Sequence, residues 1–182
     1  MADIDDTTDE DVQDEAATEN TASTGPQAGP PLVVNVQYVK DLSFEVPGAP
    51  QVFAALRTQP QVDLNLDVQV RRLEEQAHIY EVVLAIRAEA VERVEGEEKA
   101  NTVFIAELSY GGVFTLNGIP DESIEPVLLV ECPRLLFPFA RTILATVTRE
   151  GGFPPVQLQP IDFVALWQAR RAQQQQETVG NA

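Results

Sequence analysis

An α+β fold is what this sequence predicts, a four-stranded antiparallel sheet followed by two C-terminal helices. Three observations predict it. Apolar residues recur at every second position through two long segments, the period becomes helical after Gly118, and Gly or Pro clusters punctuate the chain between them. With 182 residues, 44% of them hydrophobic, the chain can build one packed core and carry tails.

The first 31 residues hold nine carboxylates and no Lys or Arg, and they end in Gly25-Pro26-Gln27-Ala28-Gly29-Pro30-Pro31. Too little apolar surface is present to offset the entropy of ordering them, so residues 1–31 are expected to be a disordered acidic tail. The folded domain is placed at residues 32–172. Its first strand spans Leu32 to Val46 and is stopped by Pro47-Gly48-Ala49-Pro50. The second alternates without a miss, with Val62, Leu64, Leu66, Val68 and Val70 on one face and Asp63, Asn65, Asp67 and Gln69 on the other. The third, from His78 to Val91, turns Tyr80, Val82, Leu84, Ile86, Ala88 and Ala90 inward. A charged turn through Glu95–Glu98 leads to the fourth strand, Thr102 to Tyr110, which Gly111-Gly112 is expected to close.

Beyond Gly118, Leu128, Leu135, Phe139, Ile143, Leu144 and Val147 fall near helical spacing, and Gly151-Gly152 stops the segment. Pro126 suits a first helical turn. Pro133 and Pro138 should kink or break a helix, which leaves Pro138–Arg149 as its continuous part. A second helix is expected to begin at Asp162, whose carboxylate can cap it, and to run through Phe163, Leu166 and Trp167. Residues 173–182 are polar and are read as a flexible C-terminal tail.

The formal charge of −17 decides what can bind. Nucleic acid is excluded, because affinity for phosphates comes from Lys and Arg. Anionic lipid is disfavoured for the same reason, and no apolar run approaches the ~18 residues that span a bilayer. The acidic start has none of the marks of a secretory signal, so the expected address is the cytoplasm. A basic partner would be attracted.

Chemistry is sparse. One Cys, Cys132, allows neither an internal disulfide nor a thiolate zinc site, and one His, His78, allows no His pair. Cys132 followed by Pro133 in an apolar stretch reads as a buried thiol, and a Cys132–His78 dyad is the distant alternative. Gly111-Gly112 lacks the Gly-Lys-Ser/Thr of a phosphate loop, and the Glu95–Glu98 cluster lacks calcium-loop spacing. No cofactor is expected and the chain is read as a binding protein, not an enzyme. Its apolar, Pro-stiffened segments Leu135-Leu136-Phe137-Pro138-Phe139 and Gly151-Gly152-Phe153-Pro154-Pro155 suit the core, and they also suit the wall of a groove for extended chain.

Several blocks in register carry a resemblance. Lys40-Asp41-Leu42-Ser43-Phe44-Glu45-Val46-Pro47-Gly48-Ala49-Pro50, Tyr80-Glu81-Val82-Val83-Leu84, Gly111-Gly112-Val113-Phe114 and Cys132-Pro133-Arg134-Leu135-Leu136-Phe137-Pro138-Phe139 resemble the SecB family of protein-export chaperones. The likeness covers roughly residues 33–170. It implies an ATP-independent chaperone, assembled as a homotetramer that is a dimer of dimers. Such a chaperone holds unfolded precursor proteins and delivers them to the SecA translocation ATPase. A SecB-like chaperone or adaptor outside general export, such as one controlling a toxin–antitoxin pair, is the alternative.

By position, the resemblance implies SecA binding at Asp41, Glu45, Ile105 and Glu107, and tetramer contacts at Ala106, Leu108 and Tyr110. Alternation along their shared strand would turn Ile105 and Glu107 to the face opposite Ala106, Leu108 and Tyr110. Val62, Leu64, Leu66, Leu136, Phe137 and Phe153 are the candidate walls of the client groove. At Leu56-Arg57-Thr58 the chain departs from the family's aromatic corner.

Overall fold

The computed structural model describes residues 29–56, 59–74, 78–93 and 100–180. The acidic segment up to residue 28, Arg57-Thr58 and the Glu95–Glu98 turn lie outside the described residues. Strands β1 (Leu32–Glu45), β2 (Gln61–Glu74), β3 (Ile79–Glu92) and β4 (Asn101–Leu116) form one antiparallel sheet in the order β1-β4-β3-β2. A short helix α1 (Gln51–Ala55) lies in the crossover from β1 to β2, which are the two edges. After β4 come α2 (Asp121–Pro126), a π-helical turn at Val127–Glu131, α3 (Cys132–Glu150) and α4 (Phe163–Gly180).

The core lies between one face of the sheet and α3. On β3 the expected inward residues, from Tyr80 to Ala90, are all buried. They meet Phe104, Ala106, Leu108, Phe114 and Leu116 of β4 and, from α3, Leu136, Ala140 and Leu144. Each fully buried Leu or Phe stabilises the fold by about 1.5–3 kcal/mol. Thr148 closes the end of α3: its buried hydroxyl donates to the Leu144 carbonyl (2.9 Å) and accepts the Val156 N–H (3.0 Å). Among the described residues no helix packs against the opposite face of the sheet, which is largely polar, as an antiparallel sheet allows.

The glycine pair does not end β4, which continues six residues beyond Tyr110 to Leu116. Close crossings explain both residues. A Cβ on Gly111 would come within 3.0 Å of the Tyr38 ring, and one on Gly112 within 2.7 Å of Phe114 and 2.9 Å of Leu136. Nor do the prolines break α3, which runs unbroken from Cys132 to Glu150. Pro133 lies just past the π turn Val127–Glu131, with which α3 is continuous. The π turn just before it absorbs the mismatch, and Pro126 ends α2 instead of starting a helix. Pro138 forfeits one backbone bond inside α3.

The expected cap of α4 is present: Asp162 Oδ1 accepts the amides of Val164 and Ala165, each at 3.0 Å. The helix then runs to Gly180, past the point where composition suggests fraying. Strand β2 departs from its pattern in burial. Only Val68 is buried; Val62 and Leu66 are half-buried, while Leu64 and Val70 are exposed. As an edge strand it lies beyond the reach of α3.

Candidate functional sites on two faces of one sheet

The ladder registers place the outer-face residues on rungs that cross all four strands, since directly opposed residues share a face. One rung reads Glu45, Ile105, Glu89, Asp63 from β1 to β2; the next Ser43, Glu107, Arg87, Asn65; the third Asp41, Ser109, Ala85, Asp67. Asp41, Glu45, Ile105 and Glu107 thus come together at one corner of the uncovered face. Arg87 stands among these carboxylates as the single guanidinium of the three rungs, paired with Glu107 and with Glu89 at 3.1 Å. The hydrogen bonds it donates to Glu107 and then Glu89 raise its pKa further, so it stays charged. Asp41, Asn65, Asp67, Arg87, Glu107 and Ser109 line a shallow depression of about 240 Å³. Nothing in the sequence singles out Arg87, which reads there as one more polar residue of an alternating strand.

Two β-bulges in β1, at Asn35 and Lys40, interrupt its ladder with β4. At the second, Val39 pairs with Tyr110 and Asp41 with Ser109, so Lys40 has no partner on β4. Its ammonium reaches across the outer face to Glu81 Oε1 (2.9 Å). Glu81, only 4% exposed, also accepts the Tyr38 hydroxyl and bonds Arg71 through Oε2 (3.1 Å). The hydrogen bonds from Tyr38 and then Lys40 hold the Glu81 carboxyl below its usual value against the desolvation that opposes them. Burial, reinforced by the bond to Glu81, pushes the Tyr38 phenol up to about 12.

On the inner face, Ala106 and Leu108 lie buried beneath α3. Tyr110 is buried at its margin and stacks on Phe139 (6.2 Å between centroids), a residue 51% exposed. Ala106 and Leu108 therefore present no free surface, and an influence on assembly would pass through α3. Beside Phe139 stand exposed Leu135 of α3 and Val39 and Leu42 of β1, which together make an uncovered apolar strip.

A second apolar surface flanks β2. Leu66, Val68, Leu129, Leu166, Trp167 and Arg170 line a groove of about 390 Å³ between β2, the π turn and α4. Arg170 donates to the Val68 carbonyl (2.9 Å) and so tethers α4 to β2. Exposed Leu64 and Val70 extend the apolar surface along β2. Of the expected groove walls, Val62, Leu64 and Leu66 belong to this surface. Leu136, Phe137 and Phe153 are buried instead: Leu136 lies against the sheet, Phe137 edge-on to Phe163, and Phe153 in a cluster with Phe44, Phe53 and Phe104. A run of apolar residues in one helix does not reveal which of them points to the core. Phe53 of α1, stacked on Phe153 at 5.2 Å and 50% exposed, supplies an aromatic one turn ahead of Leu56 that sequence reasoning missed.

Among the described residues no cluster of His, Cys, Asp and Glu could hold a metal, and no helix is long and apolar enough to cross a membrane. Burial pushes the Cys132 thiol up to about 12, with Glu131 adding to the shift, so the sulfur stays protonated and unreactive.

Known proteins match this chain along most of its length. The family model described as preprotein translocase subunit SecB matches residues 25–175. A protein-export protein SecB of Granulibacter bethesdensis is 98% identical over 171 residues, covering 94% of this chain and all of that protein. One from Acidiphilium cryptum is 65% identical over 159 residues, covering 84% of this chain and 96% of that one. The fold is also similar to the SecB-like chaperone Rv1957 of Mycobacterium tuberculosis, solved in complex with a ChAD peptide from the Rv1956 HigA1 antitoxin. That likeness has a TM-score of 0.55 at 13% identity, over 72% of this chain and 91% of the other.

Proposed function

The chain belongs to the SecB family, and from that premise we propose that it is an ATP-independent chaperone of protein export. It holds unfolded precursor proteins in the cytoplasm and delivers them to the SecA translocation ATPase. The observation that carries the holding step is the under-covered apolar side of β2 beside the groove at Leu66, Val68, Leu166 and Trp167. An unfolded client offers apolar side chains to that surface. Burying ~500 Å² of apolar area gains about 12 kcal/mol before the client's ordering cost, which removes several. One surface therefore holds modestly, and strong retention needs several on one particle. The strip of Leu135, Phe139, Val39 and Leu42 supports self-association, read as a homotetramer built as a dimer of dimers.

Delivery is assigned to the outer-face corner of Asp41, Glu45, Ile105 and Glu107, whose excess of carboxylates suits a basic segment of SecA. Export relatives resemble this chain along nearly its whole length, whereas the antitoxin-peptide complex shares only the fold, which favours export over toxin–antitoxin control. The test is suppression of aggregation of a denatured precursor without nucleotide, followed by titration calorimetry against SecA. Asp41→Ala with Glu45→Ala and Glu107→Ala should weaken SecA binding, more at low salt than at high, and leave holding intact. Unchanged SecA affinity in that variant would remove the docking assignment.

A further inference from the structure

The acidic corner depends on a backbone irregularity. Along β1, Tyr38 faces outward opposite Gly111 and Val39 inward opposite Tyr110. Regular alternation from there would send Lys40 outward, Asp41 inward beneath α3, and Leu42 and Phe44 out to solvent. The unpaired residue at Lys40 resets the phase, so Asp41, Ser43 and Glu45 face outward while Leu42 and Phe44 turn to the inner face, Phe44 into the core and Leu42 at its exposed margin. Phe44 anchors the downstream half by packing on Phe104 (5.5 Å) and Phe153 (6.3 Å). The outer-face contacts at the bulge itself are those to Glu81. Its carboxylate takes the Tyr38 hydroxyl from just before the bulge and the Lys40 ammonium from within it, and Arg71 braces it from β2. Gly111 leaves room for the Tyr38 ring to cross β4.

We infer that Glu81, with Tyr38 and Lys40, is a positioning device that holds the β1 bulge and thereby aims Asp41 at the acidic docking corner. This rests on the proposal that the corner docks SecA. Glu81 and Tyr38 need not touch the partner. The signature is a sign that electrostatics alone would not give. Lys40 is a cation beside a site for a basic partner, so as a mere charge its removal should tighten binding. As a clasp on the bulge, its removal should loosen binding.

The experiment is titration calorimetry of the full-length chain against purified SecA for Lys40→Gln and for Tyr38→Phe, which changes no charge. Both should weaken SecA about five-fold, what one net hydrogen bond is worth. Neither should add to the loss caused by Asp41→Ala, whereas each should add to that of Glu45→Ala, which lies beyond the Phe44 anchor. Client retention should not move. Unchanged or tighter SecA binding by Lys40→Gln would overturn the inference. The Asp41→Ala, Glu45→Ala, Glu107→Ala variant separates this from failure of the docking reading, which shows as wild-type affinity there. In that event amide exchange decides: faster exchange at Asp41 and Leu42 in Tyr38→Phe sustains the clasp, and unchanged exchange refutes it.

Discussion

Replacing Leu64 and Leu166 by Ser removes apolar surface from the side of β2 where client is proposed to bind. Leu64 is 52% exposed and Leu166 43%, so roughly half of each side chain remains for a client to cover. Full burial of a Leu is worth about 1.5–3 kcal/mol, so the uncovered half supplies about 1 kcal/mol, or about five-fold in Kd. The pair should then lose up to ~25-fold, less where the two positions share one contact. By the same arithmetic the covered half of each contributes about 1 kcal/mol to folding, so the double variant should stay folded with its stability lowered by about 2 kcal/mol. The assay is binding of a fluorescently labelled, denatured precursor, with aggregation kinetics alongside. Val36→Ser is the control: it is 49% exposed but stands on the outer face, opposite Val113. Wild-type affinity in the double variant would refute the β2 surface as the holding site. Equal loss from Val36→Ser would replace a groove by general surface hydrophobicity.

Gly112→Ala should destabilise the chain by about 1–3 kcal/mol, since its Cβ would overlap Phe114 and Leu136, both fully buried. Calorimetry at fixed protomer concentration should show Tm lower by about 2–4 °C per kcal/mol, and an unshifted Tm would contradict the packing. Glu81 has a depressed folded-state pKa, so its contribution is complete above its ordinary value of 4.5 and drains away as pH falls through the lower folded value. Urea midpoints taken from about pH 7 down to about pH 3 should therefore fall less steeply below 4.5 in Glu81→Gln than in the native chain; parallel curves would deny the linkage. Leu135→Ser with Phe139→Ser should shrink the assembly, which light scattering is expected to find near four times the 20.0 kDa chain mass in the native protein. An unchanged mass would free that strip for another role.

What could be read from sequence is what local pattern determines. On β3 the alternate positions from Tyr80 to Ala90 gave the inward face residue by residue, because a central strand under a helix buries that set; Glu81 and Val83 on the other face are buried as well. Asp162 was legible for a similar reason: a helix start needs an acceptor, and its carboxylate stands two and three residues before the amides it binds. Most of the failures involve contacts between distant segments. Gly111-Gly112 looks like a strand end, since glycine usually marks a turn. Here the missing side chains make room for Tyr38, 73 positions away, and for Leu136. Pro133 looks like a breaker until a π turn precedes it. The bulge at Lys40 has no local signature at all, and Glu81 looks like any outward polar residue of an alternating strand. Its burial comes from side chains arriving from both edge strands.

The two proposed sites lie back to back on one sheet, and that arrangement constrains delivery. Were client and motor to share a surface, docking would expel the client by competition. Here the apolar side of β2 proposed for the client lies on the inner face, while Asp41, Glu45 and Glu107 stand on the outer one. A loaded chaperone can then be recognised without losing its cargo, and release requires the motor to take the client itself or to disturb the strands. Strand register ties the two sites together. A one-residue slip of β1 or β2 would exchange the apolar and acidic faces of that strand at once. Placing an acidic dock and an apolar holding surface on one sheet therefore demands strong control of register. On β1 that control falls to the residues that lock it: Phe44 beneath the sheet and, at the bulge, Lys40 and Tyr38 on Glu81 above it.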